Sequence, residues 1–280
     1  MKDLIIKSKE LNEIYLPTDP LAKKKNGEVS TPFQLRRRMV NLLPEDFWTN
    51  KDNKVLEPCC GKFGFLIDII ERIMYGLRDF LIDIEERYKY ILENCLYFCD
   101  IDYDNVHNCI NIIDPDKKYK LNYFIGNTLK TDLNKIFNVD GFDLVIGNPP
   151  YNSSENIATG NTIYQDFIRH SFKYLKNESY LVFINPPGWR KPLLRNGKSR
   201  NDGMYELMCK DNQLLYLNIN NEKEGHKYFK CGTRFDYYLI QKTPSNKNSI
   251  VIDEKNIEVN LNMREFDFIP NYNIERFIRC

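Results

Sequence analysis

FDLVIGNPPY, residues 142–151, is an apolar strand that runs straight into a rigid turn. Phe142, Leu144, Val145 and Ile146 make a short run of the kind covered on both faces of a sheet. Asn148-Pro149-Pro150 must end it, because proline offers no N–H to a central ladder. Working outward, the same unit recurs. KVLEP (54–58), LYFCDI (96–101) and LNYFIG (121–126) precede it, and YLVFI (180–184), LLYLNI (214–219) and RFDYYLIQ (234–241) follow. Residues 63–75, 77–94, a short stretch from about Asp104, and 162–176 have helical spacing between them. Strands alternating with helices are the signature of βαβ units. The reading predicts an α/β fold: a seven-stranded, doubly wound, Rossmann-like sheet with an antiparallel last strand and no helix between the final two strands. Residues 1–29 read as an N-terminal extension, 30–244 as the domain, and 245–280 as a short C-terminal extension with one strand-like run, SIVIDEK.

Composition sets outer bounds. With 42% hydrophobic and 28% charged residues over 280 positions, the chain can build one large core. No apolar run approaches the ~20 residues of a membrane span, and MKDLIIKSKE lacks the apolar core of a secretory signal. A soluble protein of a reducing, cytoplasmic compartment is expected, with no membrane partner. Eight cysteines and three histidines show no metal-ligand spacing, so no metal is expected. A net charge of +1 neither requires nor excludes nucleic acid. The segment 188–200, GWRKPLLRNGKSR, carries five basic residues and no acid. Arg190, Lys191 and Arg195 are its candidates for contacting phosphates.

Three motifs carry chemistry. LEPCCGKFGFL (56–66) places an acid, Glu57, and a glycine turn at Gly61 between a strand and a helix. Open α/β sheets bind ligands at that end of their strands, and the helix start offers N–H groups to an anion. CDID (99–102) puts Asp100, with Ile101 beside it, at the next strand end, where an acid can accept both hydroxyls of a ribose. NPPY (148–151) suits an exocyclic amine such as N6 of adenine, whose lone pair is delocalised into the ring. An Asn oxygen and a backbone carbonyl that accept both amine hydrogens favour the pyramidal nucleophile. Pro149 aims the carbonyl, and Tyr151 offers a stacking face for a flipped base. Asn185-Pro186-Pro187 repeats the tripeptide one strand later. Gly188 follows it where a stacking residue should stand, so catalysis is assigned to Asn148. Trp189 just beyond is expected to line the cleft.

With these motifs in this order, the chain resembles the gamma-class adenine-N6 DNA methyltransferases, from residue 29 to 241. STPFQLRRRMVNLL (30–43) is similar to the family's N-terminal motif, which implies that Thr31, Pro32 and Phe33 touch the methionine part of S-adenosylmethionine. LEPCCGKFGFL resembles its glycine loop, with Glu57 in the acidic place and Phe63 where a glycine is usual. ILENCLYFCDID (91–102) resembles the approach to the ribose-binding acid, Asp100. GNTL (126–129) implies an adenine contact from Asn127. GNPPY matches the catalytic motif. HKYFKCGTRFDYYLI (226–240) resembles the late motif whose aromatic stacks on the target base, which points to Phe229. The resemblance implies S-adenosylmethionine as cofactor and DNA as partner, with RNA the lesser alternative. About forty residues follow 241, so a full target-recognition domain is not expected within this sequence: recognition falls to a separate subunit or to the loop 188–210, or the chain is a fragment. Three other functions remain open: an RNA adenine methyltransferase, a release-factor glutamine methyltransferase, and a non-catalytic cofactor- or nucleic-acid-binding subunit.

Overall fold

In the computed structural model, residues 30–152, 162–191 and 199–278 are described. They form one mixed sheet with helices on both faces. The elements run α1 (Phe33–Val40), β1 (Val55–Glu57), α2 (Gly64–Gly76), α3 (Ile84–Tyr90), β2 (Leu96–Asp100), α4 (Tyr103–Ile113) and β3 (Asn122–Ile125). Then come α5 (Leu133–Phe137), β4 (Phe142–Gly147), α6 (Tyr164–Tyr174), β5 (Leu175–Asn185), α7 (Met204–Cys209) and β6 (Gln213–Asn220). The chain continues with α8 (Glu222–Phe229), β7 (Phe235–Gln241), β8 (Ser249–Ile252), β9 (Glu258–Leu261) and α9 (Glu275–Ile278). None of the described helices is long and apolar enough to cross a membrane.

The strand order is β3-β2-β1-β4-β5-β7-β6-β8-β9. β1 pairs in parallel with both β2 and β4, so the order reverses at β1. The carboxyl edge beside such a reversal is where open α/β sheets hold ligands. β7 inserts antiparallel between β5 and β6; the sequence predicts an antiparallel strand late in the sheet but not this insertion.

Side chains alternate between two cores. Val55, Leu96, Phe98, Leu144, Ile146, Val182 and Ile184 face α1, α2 and α4. Leu56, Tyr97, Cys99, Val145, Leu181 and Phe183 face α6 and α7. Both faces are buried, so these strands read as unbroken apolar runs.

Four expectations need correction. The described sheet has nine strands rather than seven. Residues 245–280 are no appendage: β8 pairs in parallel with β6 and β9 closes antiparallel on β8. They cover an edge of β6 that would otherwise present unpaired backbone groups. A helix, α8, does lie between β6 and β7. It is capped by Asn221, whose side chain accepts from the N–H groups of Lys223 and Glu224, a start signal followed by the acids of the first turn. The stretch 77–94 is not one helix. α3 begins at Ile84 behind an Asp83 cap, and its last turn, Ile91–Cys95, widens before β2.

Candidate active site

β1, β2 and β4 end side by side, and each delivers one motif to the same edge. Glu57, the last residue of β1, is 2% exposed, and its Oε2 has no hydrogen-bond donor. Burial pushes its carboxyl well above the usual range, the Arg36 guanidinium opposes that, and Asp100 and Asp68 add to it. The following turn is tight. Gly61 has φ 48° and Phe63 has φ 85°, and Phe63 caps α2 from the left-handed region. Glycine reaches that region without strain, whereas a side chain there costs about 1–2 kcal/mol. Phe63 thus holds a backbone shape that favours glycine, and its buried ring packs into the core and offsets the strain.

Asp100 ends β2 and organises that turn. Its Oδ2 accepts the N–H of Gly61 at 2.8 Å, and its Oδ1 accepts that of Asp102 at 2.9 Å. Burial raises the Asp100 carboxyl, and these N–H groups, with Asn105, hold it down. Ile101 beside it is exposed. Asp102 is occupied elsewhere, capping α4 through the N–H of Asp104. Asn127 uses its Oδ1 on the N–H of Leu129 to start a short turn after β3.

Thr31 and Pro32 lead into α1, which packs on α2. The Thr31 carbonyl accepts from Arg36 Nη1 at 2.7 Å, and its buried Oγ1 has no partner among the described residues. Phe33 lies under the guanidinium groups of Arg36 and Arg37. Arg36 itself is buried, pairs with Asp68 of α2 at 2.8 Å, and lies against Gly64 so closely that a Cβ there would sit 2.7 Å from the guanidinium. Sequence reading missed this clamp. Its signal was an acid, Asp68, set within the apolar run FLIDII of α2.

Asn148 follows Gly147 at the end of β4. Asn148 is half-buried, with Oδ1 shielded from solvent. The Tyr151 carbonyl accepts from the N–H of Ile163, and Asn152 bridges Thr162, so the end of the segment lies beside the start of α6. The Tyr151 hydroxyl is buried without a partner among the described residues, and burial raises it. The nearest side-chain atoms to a Cβ built on Gly147 would be Glu57 Cγ at 3.7 Å and Cys59 Sγ at 3.8 Å. The NPPY segment therefore starts against the acid and turn of the first motif.

Three sequence expectations, for Arg190, Phe229 and Trp189, fall elsewhere. Arg190 is 3% exposed and pairs with buried Asp236 at 2.7 Å, while Nη1 donates to the carbonyls of Ile269 and Pro270. It is a buried tie between segments, not a phosphate contact, because a guanidinium satisfied by a carboxylate and carbonyls has no face left for solvent. Lys191 next to it is exposed, and Arg195 lies outside the described residues. Phe229 is buried in the core, edge-on to Phe235 at 5.0 Å between centroids, so its ring cannot stack on a base. Trp189 is fully buried against Tyr238 rather than lining a cleft. Asn185 of the second Asn-Pro-Pro accepts the Tyr238 hydroxyl at 2.6 Å and donates to the Pro186 carbonyl, a structural use.

Comparison with known proteins gives a concordant picture. The family model described as Eco57I restriction-modification methylase matches residues 79–217, just under half of the chain. A protein of Methanocaldococcus jannaschii named as a type II restriction enzyme and methyltransferase is 34% identical over 136 residues, covering 43% of this chain and 11% of that protein. The solved modification subunit of a type I restriction enzyme from Vibrio vulnificus superposes with a TM-score of 0.63 at 16% identity, covering 88% of this chain and 52% of that one. A class I S-adenosylmethionine-dependent methyltransferase from Listeria monocytogenes superposes with a TM-score of 0.54 at 17% identity, over 79% of this chain and 64% of that one. The two superpositions establish an α/β methyltransferase-like fold. The resemblance to DNA methyltransferases expected from the motifs is borne out by the match to restriction-modification methylases in the family model and the relative. The chain spans only about a tenth of that relative's length.

Proposed function

We propose that this chain, a domain of the restriction-modification methylase kind, transfers a methyl group to N6 of adenine in DNA. Its cofactor is S-adenosylmethionine, which when bound supplies a methyl group activated on a sulfonium. The residues present suit such a ligand. A buried Glu57 oxygen and a buried Thr31 hydroxyl lack partners, and carboxylates outnumber guanidinium groups around them, a setting that favours a cation. Thr31, Pro32, Phe33, Glu57, Gly61, Asp100, Ile101 and Asn127 are proposed to hold it, with Asp100 on the ribose.

The observation that carries the reading is the contact between the start of NPPY and the Glu57 turn. The approach of Gly147, just before Asn148, to that turn supports an amine-accepting amide beside the proposed donor site. Asn148 Oδ1 and the Pro149 carbonyl accept the two hydrogens of the target amine and favour its pyramidal form. Tyr151 stacks on the base, which must leave the duplex to reach this edge. Exposed Lys191, with Arg195, is proposed to meet the DNA backbone, and a separate subunit is proposed to supply sequence recognition. The test is incubation with labelled cofactor and DNA, RNA or release factor in parallel. Label is expected in DNA; label confined to RNA or to release factor would replace this reading with one of its alternatives.

A further inference from the structure

Glu57 sits in a charge balance that the apo protein does not close. Its side chain is 2% exposed, and Oε2 has no donor among the described residues. The groups facing it come from every neighbouring element: Arg36 of α1, Asp68 of α2, Asp100 of β2, and the thiols of Cys59, Cys60, Cys99 and Cys109. Of these only Arg36 is cationic, and it is already bound to Asp68 and to the Thr31 carbonyl. Of the three buried carboxyl groups, Asp68 takes Arg36 and lies 4.0 Å from Arg37, so among the described residues no guanidinium is left paired with Glu57. An ionised carboxylate in such a place costs several kcal/mol unless a cation arrives.

We propose that binding of the cationic cofactor at this site is coupled to loss of a proton from Glu57. The inference rests on the cofactor site described above. Without ligand, Glu57 keeps its O–H bond and is neutral. When a positively charged ligand enters, the O–H bond breaks, the proton passes to the solvent buffer, and the carboxylate stays as the ligand's counter-ion. Burial, with Asp100 and Asp68 nearby, raises the proton affinity of the free site, and Arg36 limits the rise. The sign follows from linkage: binding that releases a proton tightens as pH rises, until Glu57 is ionised in the free protein as well. One proton corresponds to a tenfold gain in affinity per pH unit.

The test is calorimetric titration of the chain with S-adenosylmethionine from about pH 5.5 to 7.0, below the ligand's own amine titration near pH 7.7–8.0, in buffers of different ionisation enthalpy. The expected result is release approaching one proton per ligand at the acid end, with affinity rising toward tenfold per pH unit. Glu57→Gln is expected to bind with no proton release and no pH slope. Infrared spectra of the apo proteins provide a readout that needs no binding: a protonated-carboxyl band is expected in the wild type and absent from Glu57→Gln. Tight binding with no proton exchange and no slope would overturn the coupling while leaving the cofactor site standing. The same release or the same band in Glu57→Gln would overturn the assignment to Glu57. No binding by the wild type at any pH would overturn both readings.

Discussion

At the scale of residues, neighbouring acids in the candidate site have separable tasks. Asp100 holds the Gly61 turn and is the proposed ribose acceptor, whereas Asp102 caps α4. Asp100→Ala is expected to weaken S-adenosylmethionine binding by about 1–3 kcal/mol in calorimetry, the cost of losing charge-assisted hydrogen bonds. Asp102→Ala is expected to leave binding nearly intact and to cost about 1 kcal/mol of stability, as for a lost cap. Equal binding by both variants would reduce Asp100 to a turn residue. The placement of Glu57, Asp100 and Asn148 at adjacent strand ends was legible because each ends an apolar run. The fates of Arg36 and Arg190 were not. A basic residue in a local run reads as solvated, and only the fold reveals the carboxylates, Asp68 and Asp236, that draw these two inward.

At the scale of elements, two local structures hold the carboxyl edge in shape. The turn before α2 keeps Phe63 at φ 85°, so the usual order of glycine and alanine should invert there. Phe63→Ala and Phe63→Gly both lose a buried ring, by roughly 3–5 kcal/mol. The glycine variant is expected to be the more stable of the two by about 1 kcal/mol, since it alone relieves the left-handed strain. Urea denaturation decides this, and an alanine variant as stable as the glycine one would mean the turn relaxes. The second structure is the Arg190–Asp236 pair, which ties the turn after β5 to β7 and to residues 269–271. Arg190→Ala leaves a buried carboxylate unpaired and is expected to cost about 3–5 kcal/mol. A loss below about 1 kcal/mol in the same assay would place the pair in water. Helix α8 shows why element reading is incomplete: EKEGHKYF carries few apolar residues, and its Asn221 cap was the better signal.

At the scale of the whole molecule, one sheet carries the fold from β3 to β9, and the candidate site lies near its middle at the order reversal. The strands β1 to β7 were legible from alternation, with one antiparallel strand expected late but not its insertion between β5 and β6. The last two were not, since four-residue strands in a polar stretch resemble an extension until the open edge of β6 is seen. Ending the chain at residue 244 is therefore expected to remove β8, β9 and the buried Val251, Val259, Leu261 and Met263. That should expose the β6 edge and give an aggregating product by light scattering; a monomeric, folded product would restore the view of a dispensable extension. The central claim is that Asn148 accepts the hydrogens of an adenine amine. Its most direct test is nucleoside mass spectrometry of mixed-sequence DNA after reaction with the wild type and with Asn148→Ala, both checked for cofactor binding. N6-methyldeoxyadenosine is expected from the wild type, with a roughly 10²–10³-fold lower rate from the variant at similar cofactor affinity. Methylation of cytosine instead, or an unchanged rate in the variant, would contradict it.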